Sequence, residues 1–364
     1  MNIGFDARLY GTFDRGLGRY NLSLLTNLAQ LDQVNKYWIF GKVERLASLP
    51  HNWTRVNAPW PVYSVGEQAK LPRLLKKYPV DLVHFPHFNA PVTYQRPYIL
   101  TIHDMILHQF PNERATTLLK PIYKFKLWMY NYVFNRAVNQ ARAIITVSQA
   151  TKKILIQHYP NLESKIRVVY EAPTIDGRTY RQLPRPIAGR YLLYVGAAYP
   201  HKNLGVLVKA HHELLKRDAN LKLVFVGRED FFYQRLKKEL SRYSKGVIFW
   251  GEATDATLAG LYAHADVYVS SSLAEGFNLS ALEALSFGCP IVLSDSEVHR
   301  EIFGPAALFA QVNQVDDYVK LVDQVLNQGR SGFEPLQRAT TVLSRFSWQL
   351  AAQQTLEIYN QALV

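Results

Sequence analysis

Short apolar runs alternate with segments of helical spacing along almost the whole chain. NIGFDAR (2–8) reads as a strand. A glycine-containing loop follows, and YNLSLLTNLAQL (20–31) then repeats apolar residues at helical intervals. KYWIFG, DLVHFP, YILTIHD and AIITVS are further runs rich in β-branched and aromatic residues, each closed by polar or turn residues. Beyond residue 190 the style returns. YLLYVGA, LKLVFVG, VIFWG, ADVYVSSS and PIVLSD predict strands, with LGVLVKAHHELLKR and LSALEALSFG as helices among them. Such alternation predicts parallel βα units, hence an α/β fold. No short internal repeat is visible.

One stretch breaks the rhythm. EAPTIDGRTYRQLPRPIAGR (171–190) has no periodicity and holds Pro173, Pro184, Pro186, Gly177 and Gly189. It predicts a linker over 173–189 between Rossmann-like domains at 1–172 and 190–345. A last helix, about 346–364, is expected to return to the first domain. Two parallel-sheet domains place ligands at the carboxyl ends of their strands, in a cleft between the domains. A chain of 364 residues agrees with roughly two domains.

Composition narrows the class. With 48% hydrophobic and 20% charged residues the chain is globular in type, and it has no apolar run of about 18 residues for a membrane span. Asp6 and Arg8 interrupt the apolar N-terminus, which reads as a first strand and not as a signal peptide. The single cysteine, Cys289, allows no internal disulfide, so a reducing cytoplasm is the expected setting. Its surroundings, SFGCPIVLS, suit a small buried residue better than a nucleophile. The net charge of +13 is lopsided: residues 1–180 hold 23 Lys/Arg against 11 Asp/Glu, and residues 181–364 hold 19 against 18. Such a charge suggests that the first half meets something anionic, whether nucleic acid, anionic lipid or a phosphorylated acceptor; a merely solvated basic face also fits.

The densest chemistry lies in SSSLAEGFNLSALEALSFGCP (270–290). A strand ends, a loop carries Glu275 and Gly276, and a helix begins near Asn278–Ser280. The backbone N–H groups of Phe277, Asn278 and Leu279 would then face out of a helix N-terminus, a setting that favours anions such as a diphosphate. Glu283 falls about one turn inside the helix, where it can accept hydrogen bonds from ribose hydroxyls. The two carboxylates are separated by seven residues.

This pattern resembles the E-x7-E motif of retaining glycosyltransferases of the GT-B fold, specifically glycosyltransferase family 4, and the likeness spans nearly the whole chain. The resemblance implies that Glu275 contacts hydroxyls of the donor sugar and that Glu283 binds the ribose. It extends to YVGAAYPHKNL, where Gly196, His201, Lys202 and Asn203 match a G-x4-RKN-type segment whose cations neutralise the diphosphate. His201 stands where the family usually has Arg, leaving one fewer permanent charge. LTIHDM is similar to the family's strand-end His-Asp, which implies that His103 lies near the anomeric centre, with Asp104 bracing the backbone or His103.

Asp14-Arg-Gly-Leu-Gly-Arg-Tyr20 resembles the family's loop near the donor phosphates and acceptor, with Gly16 and Gly18 allowing close approach. Gly227, Arg228, Trp250, Gly251 and Glu252 match loops around the nucleobase. Ser148 matches a helix-capping serine, and Trp348 a structural residue.

The chain has no D-x-D, and the His84–His87 pair lacks partners, so no metal and no cofactor are expected. The implied activity is retaining, metal-independent hexosyl transfer, with mannose from GDP-mannose the favoured donor over UDP-hexoses. The expected partners are a nucleotide sugar and a glycan or lipid-linked acceptor. Segment 120–136, KPIYKFKLWMYNYVFNR, mixes cations with aromatics; it fits either an anionic membrane surface or the core against the first sheet. A nucleotide-sugar epimerase or a phosphorylase on the same fold stays open, as does a basic nucleic-acid-binding protein, although no nucleic-acid module is recognisable.

Overall fold

The computed structural model describes residues 1–12, 15–110, 116, 119–177, 179–180 and 183–363. The chain divides into two compact units, one of Met1–Met105, Thr116–Ala172 and Phe346–Val364, the other of Ile106–Ala115 and Pro173–Arg345.

Among the described residues the first unit has β1 (Asn2–Asp6), α1 (Arg15–Leu31), β2 (Lys36–Gly41), β3 (Thr54–Asn57), α2 (Val65–Leu75), β4 (Leu82–Phe85) and β5 (Tyr98–Ile102). A short α3 (Ile106–Gln109) groups with the second unit, and α4 (Lys120–Gln140), β6 (Ala143–Thr146), α5 (Gln149–His158) and β7 (Ile166–Val168) complete the N-terminal part of the first. The strands pair in parallel in the order β3-β2-β1-β4-β5-β6-β7. Parallel sheets are covered on both faces, so every residue of β4 and β5 is buried. Alternation sends Phe40, Phe85 and Leu100 to a core with Phe134 of α4. Ile3, Phe5 and Ile39 join Leu24 of α1 in the other core.

In the second unit β8 (Tyr191–Val195), α6 (Leu204–Leu214), β9 (Lys222–Val226), α7 (Phe231–Glu239), β10 (Val247–Gly251) and α8 (Asp255–His264) come first. They are followed by β11 (Val267–Ser270), α9 (Leu279–Ser286), β12 (Ile291–Ser294), α10 (Glu297–Phe303), β13 (Leu308–Ala310), α11 (Val315–Gly332) and α12 (Ala339–Leu343). The parallel order is β10-β9-β8-β11-β12-β13. Helix α13 (Trp348–Ala362) belongs to the first unit and packs on α1. Side-chain caps start many of these helices: Ser64 on α2, Ser148 on α5, Asp230 on α7, Ser296 on α10 and Ser347 on α13.

Both units are doubly wound α/β sheets, the fold class expected. Within the segment 173–189, Gly177 and Leu183 pack with the second unit: a side chain on Gly177 would meet the Ser286 carbonyl at 2.7 Å, and His264 Nε2 donates to the Leu183 carbonyl at 3.1 Å. In each sheet the strand order reverses at one place, between β1 and β4 and between β8 and β11. In open α/β sheets ligands bind at the carboxyl ends of the strands where the order reverses, here those strand pairs.

Candidate active site

In the second unit, β8 and β11 are neighbours, so the loops that leave their carboxyl ends meet at the switch point. Lys202 comes from the first loop and Glu275 from the second. Lys202 Nζ donates to both carboxylate oxygens of Glu275, at 2.7 Å each. The pair is largely but not wholly enclosed, with side chains 17% and 11% exposed. Burial opposes ionisation of Glu275, yet the Lys202 charge and its hydrogen bonds, with that of Ser272, outweigh it; the carboxyl sits below its ordinary range.

The loops are tied by the serine run that ends β11. Ser271 Oγ donates to the Asn203 carbonyl at 2.9 Å and to that of Lys202 at 3.1 Å. Ser272 Oγ donates to Glu275 at 2.6 Å, and the Leu273 amide donates to the His201 carbonyl at 2.7 Å. Asn203 adopts a left-handed conformation to start α6, and its amide donates to Asn313 at 2.9 Å. His201 stacks beside Tyr199, and burial, followed by the neighbouring Lys202 charge, lowers its pKa to about 4. It is neutral at pH 7, so it adds no fixed cation beside Lys202.

Helix α9 begins at Leu279, one residue after Asn278, whose left-handed backbone and side-chain carbonyl cap it through the Ala281 amide. The other end of that amide is held by His299. His299 Nδ1 faces the Ser294 carbonyl at 2.7 Å and must donate, which leaves Nε2 to accept from Asn278 Nδ2 at 2.9 Å. Burial keeps His299 below its ordinary pKa, in accord with this neutral tautomer. Glu283, on the second turn of α9, is buried. It accepts from Thr174 Oγ1 at 2.5 Å and from the Tyr262 hydroxyl at 3.0 Å. Burial and then Glu283 push the Tyr262 phenol well above its ordinary pKa, so it remains a donor.

Two predicted glycines are explained by packing. A Cβ on Gly227 would fall 2.2 Å from the Gly196 carbonyl, which accepts from Tyr233 Oη at 2.8 Å. Gly196 has φ 154 and turns the chain out of β8. Arg228 is exposed at the end of β9, and Gly276 and Phe277 lie between Glu275 and the α9 cap. Cys289 is fully buried, and burial pushes its thiol up to about 12, which removes it as a nucleophile.

In the first unit, His103 follows β5. Its Nδ1 meets Glu171 Oε1 at 3.0 Å and its Nε2 the Pro86 carbonyl at 3.0 Å, while Tyr20 packs edge-on at 4.6 Å. Glu171, which the sequence did not single out, thus braces the ring. Gly16 and Gly18 were expected in a loop. They lie instead in the first turns of α1, because the helical spacing of Leu17, Tyr20 and Leu24 extends the helix back to Arg15. Asp14 lies outside the described residues. Gly16 is exposed with open space where a Cβ would go, and the Gly18 carbonyl accepts from Gly11.

His84 is spent on structure, with Nδ1 at 2.8 Å from Tyr359 Oη and Nε2 at 2.8 Å from Thr101 Oγ1. The strongest feature that sequence reasoning missed is Arg8 beyond β1. It grips Asp6 through Nε and Nη2, at 2.8 and 2.6 Å, and Glu67 through Nη2. Glu67 also accepts from Asn89, which meets His87 at 2.9 Å. An Arg two residues after an Asp at a strand end was the available signal.

Comparison with known proteins gives a consistent account. The family model described as Glycosyl transferases group 1 matches residues 180–340, and that described as Glycosyltransferase Family 4 matches residues 15–172. O-antigen chain mannosyltransferase B of Escherichia coli is 25% identical over 94% of this chain and 95% of its own length. O-antigen chain mannosyltransferase RfbU of Salmonella typhimurium is 25% identical over 79% of this chain and 73% of its own. HepE of Anabaena, crystallised with UDP and glucose, superposes with a TM-score of 0.74 at 18% identity, covering 99% of both chains.

Proposed function

We propose that this chain, which belongs to the group 1 and family 4 glycosyltransferases, transfers mannose from GDP-mannose, with retention at the anomeric carbon, to a glycan or lipid-linked hydroxyl. The observation that carries the reading is the Lys202–Glu275 pair at the β8/β11 switch point, clamped from behind by Ser271 and Ser272. The pair is an ion-exchange device: a diphosphate that takes Lys202 releases Glu275 to accept hydrogen bonds from the hexose hydroxyls.

In this reading Glu283 receives the ribose hydroxyls, its position fixed by Thr174 and Tyr262. Gly276, Phe277, Asn278 and Leu279 bring the head of α9 to the phosphates, where its dipole favours anions. Gly196, His201, Asn203, Gly227 and Arg228 frame the nucleotide, while the family resemblance assigns Gly16 and Gly18 to the donor phosphates and His103 to the reacting sugar. The C1–O bond to the leaving phosphate breaks as the acceptor oxygen bonds C1 on the same face, and the acceptor proton passes to the leaving phosphate oxygen. Lys202 supplies the charge balance without a metal. The mannose assignment is supported by the relatives named O-antigen chain mannosyltransferases. A lipid-linked acceptor would bring the protein to the cytoplasmic face of a membrane.

Calorimetry with GDP, UDP and their sugars tests the donor, and NMR of the product's anomeric proton tests retention. Preferential binding of GDP-mannose and an axial-to-axial outcome are expected. Binding unaffected by both Lys202→Ala and Glu275→Ala would remove the site assignment.

A further inference from the structure

Helix α4 is apolar on two opposite sides, and only one of them meets the core. Phe134, Ala137 and Val138 are buried against the first sheet. On the other side Ile122, Phe125, Trp128 and Tyr132 are 46%, 61%, 60% and 49% exposed. Phe125 stacks on Trp128 with centroids 6.0 Å apart, and Trp128 on Tyr132 at 6.1 Å. The sequence left this segment open between a membrane surface and the core, and the structure buries one side of the helix and exposes the other.

The outward strip has a definite charge frame. At about 100° per residue, Ile122 and Trp128 lie about 60° to either side of Phe125, with Tyr132 about 20° away and Lys124 and Lys126 about 100° to either side. From Lys120 to Gln140 the helix holds cations and no acidic residue. An interfacial helix has this design: aromatic rings enter the headgroup region while flanking lysines extend their stems to the anionic surface. A protein partner that buried this strip would need acidic groups on both flanks, whereas an anionic bilayer provides them as a continuous plane. Among the described residues no helix is long and apolar enough to cross a membrane.

We propose that α4 docks this protein on an anionic lipid surface, with Ile122, Phe125, Trp128 and Tyr132 in the headgroup layer and Lys124 and Lys126 against lipid phosphates. The full chain should sediment with vesicles of phosphatidylcholine and phosphatidylglycerol far more than with phosphatidylcholine alone, and salt should weaken it. K124Q/K126Q should lower partitioning about thirtyfold. F125S/W128S should lower it at least about tenfold, with the unfolding midpoint unchanged because both side chains are exposed. Equal binding to both vesicle types, or wild-type binding by F125S/W128S, would overturn the proposal. So would a dimer in light scattering that F125S/W128S dissociates, since the strip would then belong to a second copy of the chain. Vesicle binding is measured without donor, so its failure and that of the sugar-transfer reading are separable.

Discussion

Each unit places a cation just past the first strand of its sheet, at the switch point, and the two cations are held very differently. Arg8, beyond β1, is 2% exposed and answers to two carboxylates, Asp6 and Glu67. Lys202, beyond β8, answers to one, Glu275, and keeps some access to solvent. Burial works against the Arg8 charge, but Asp6 and Glu67 outweigh it and hold the guanidinium's pKa above its ordinary value. A cation with two fixed anions is a structural clamp. A cation with one is ready to change partners, and a diphosphate is the anion that would displace a carboxylate. The same topological position thus serves architecture in one unit and chemistry in the other.

The sharpest way to break this contrast is Arg8→Met. It strands Asp6 and Glu67 in the interior, and an uncompensated buried charge typically costs about 3–5 kcal/mol. Urea unfolding followed in the first unit should show that loss. Wild-type stability would mean that Arg8 is no clamp. Next comes Lys202→Ala, which should cut transfer about 100- to 1,000-fold, the usual scale for losing one preorganised charge-stabilising group. Its unfolding midpoint should move far less than that of Arg8→Met. A Lys202→Ala protein that lost as much stability as Arg8→Met but kept wild-type turnover would reverse the two assignments. Smaller again is Tyr262→Phe, which removes one donor from the Glu283 carboxylate. Hydrogen bonds to charged groups contribute about 1.5–3 kcal/mol, so donor affinity should fall by roughly ten- to a hundredfold, with kcat little changed. A change in kcat alone would take Glu283 out of the ribose role.

How much of this was legible beforehand follows from what each feature depends on. Strands covered on both faces read as apolar runs, so β1, β2, β4, β5 and β6 and most strands of the second sheet stood out. The ones missed, β3, β7 and β13, are four residues or fewer and lie at sheet edges, where little apolar surface is needed. Lys202 and Glu275 were legible because a local motif surrounds each. Their pairing was not, since it arises only when β8 and β11 become neighbours across more than seventy residues. Glu171 and His299 were missed for a like reason: a lone charged or imidazole side chain in sequence gives no sign of the carbonyl or carboxylate that folding sets beside it. Gly16 and Gly18 show the opposite error, because a glycine pair suggested a loop where the apolar spacing around it had already begun a helix.

The weakest expected effect concerns His201, the position where the family pattern usually has a permanent cation. With its folded pKa near 4, below the ordinary 6.5, the unfolded chain takes up this proton first. His201 therefore leaves stability untouched above about pH 6.5 and erodes it as the pH falls from there towards 4. Glu275 acts lower on the scale: its carboxyl is held below 4.5, so the stability it contributes is full above that value and is lost only as the pH drops through its folded value. His201→Asn should accordingly flatten the stability profile between those limits and leave GDP binding at neutral pH within about threefold, since one neutral hydrogen-bonding group replaces another. Calorimetry and thermal unfolding across that range separate the two groups. If His201→Asn abolished binding at pH 7, the imidazole would have to be charged in the complex. The second unit would then hold its anion with two cations, as the first holds its cation with two carboxylates.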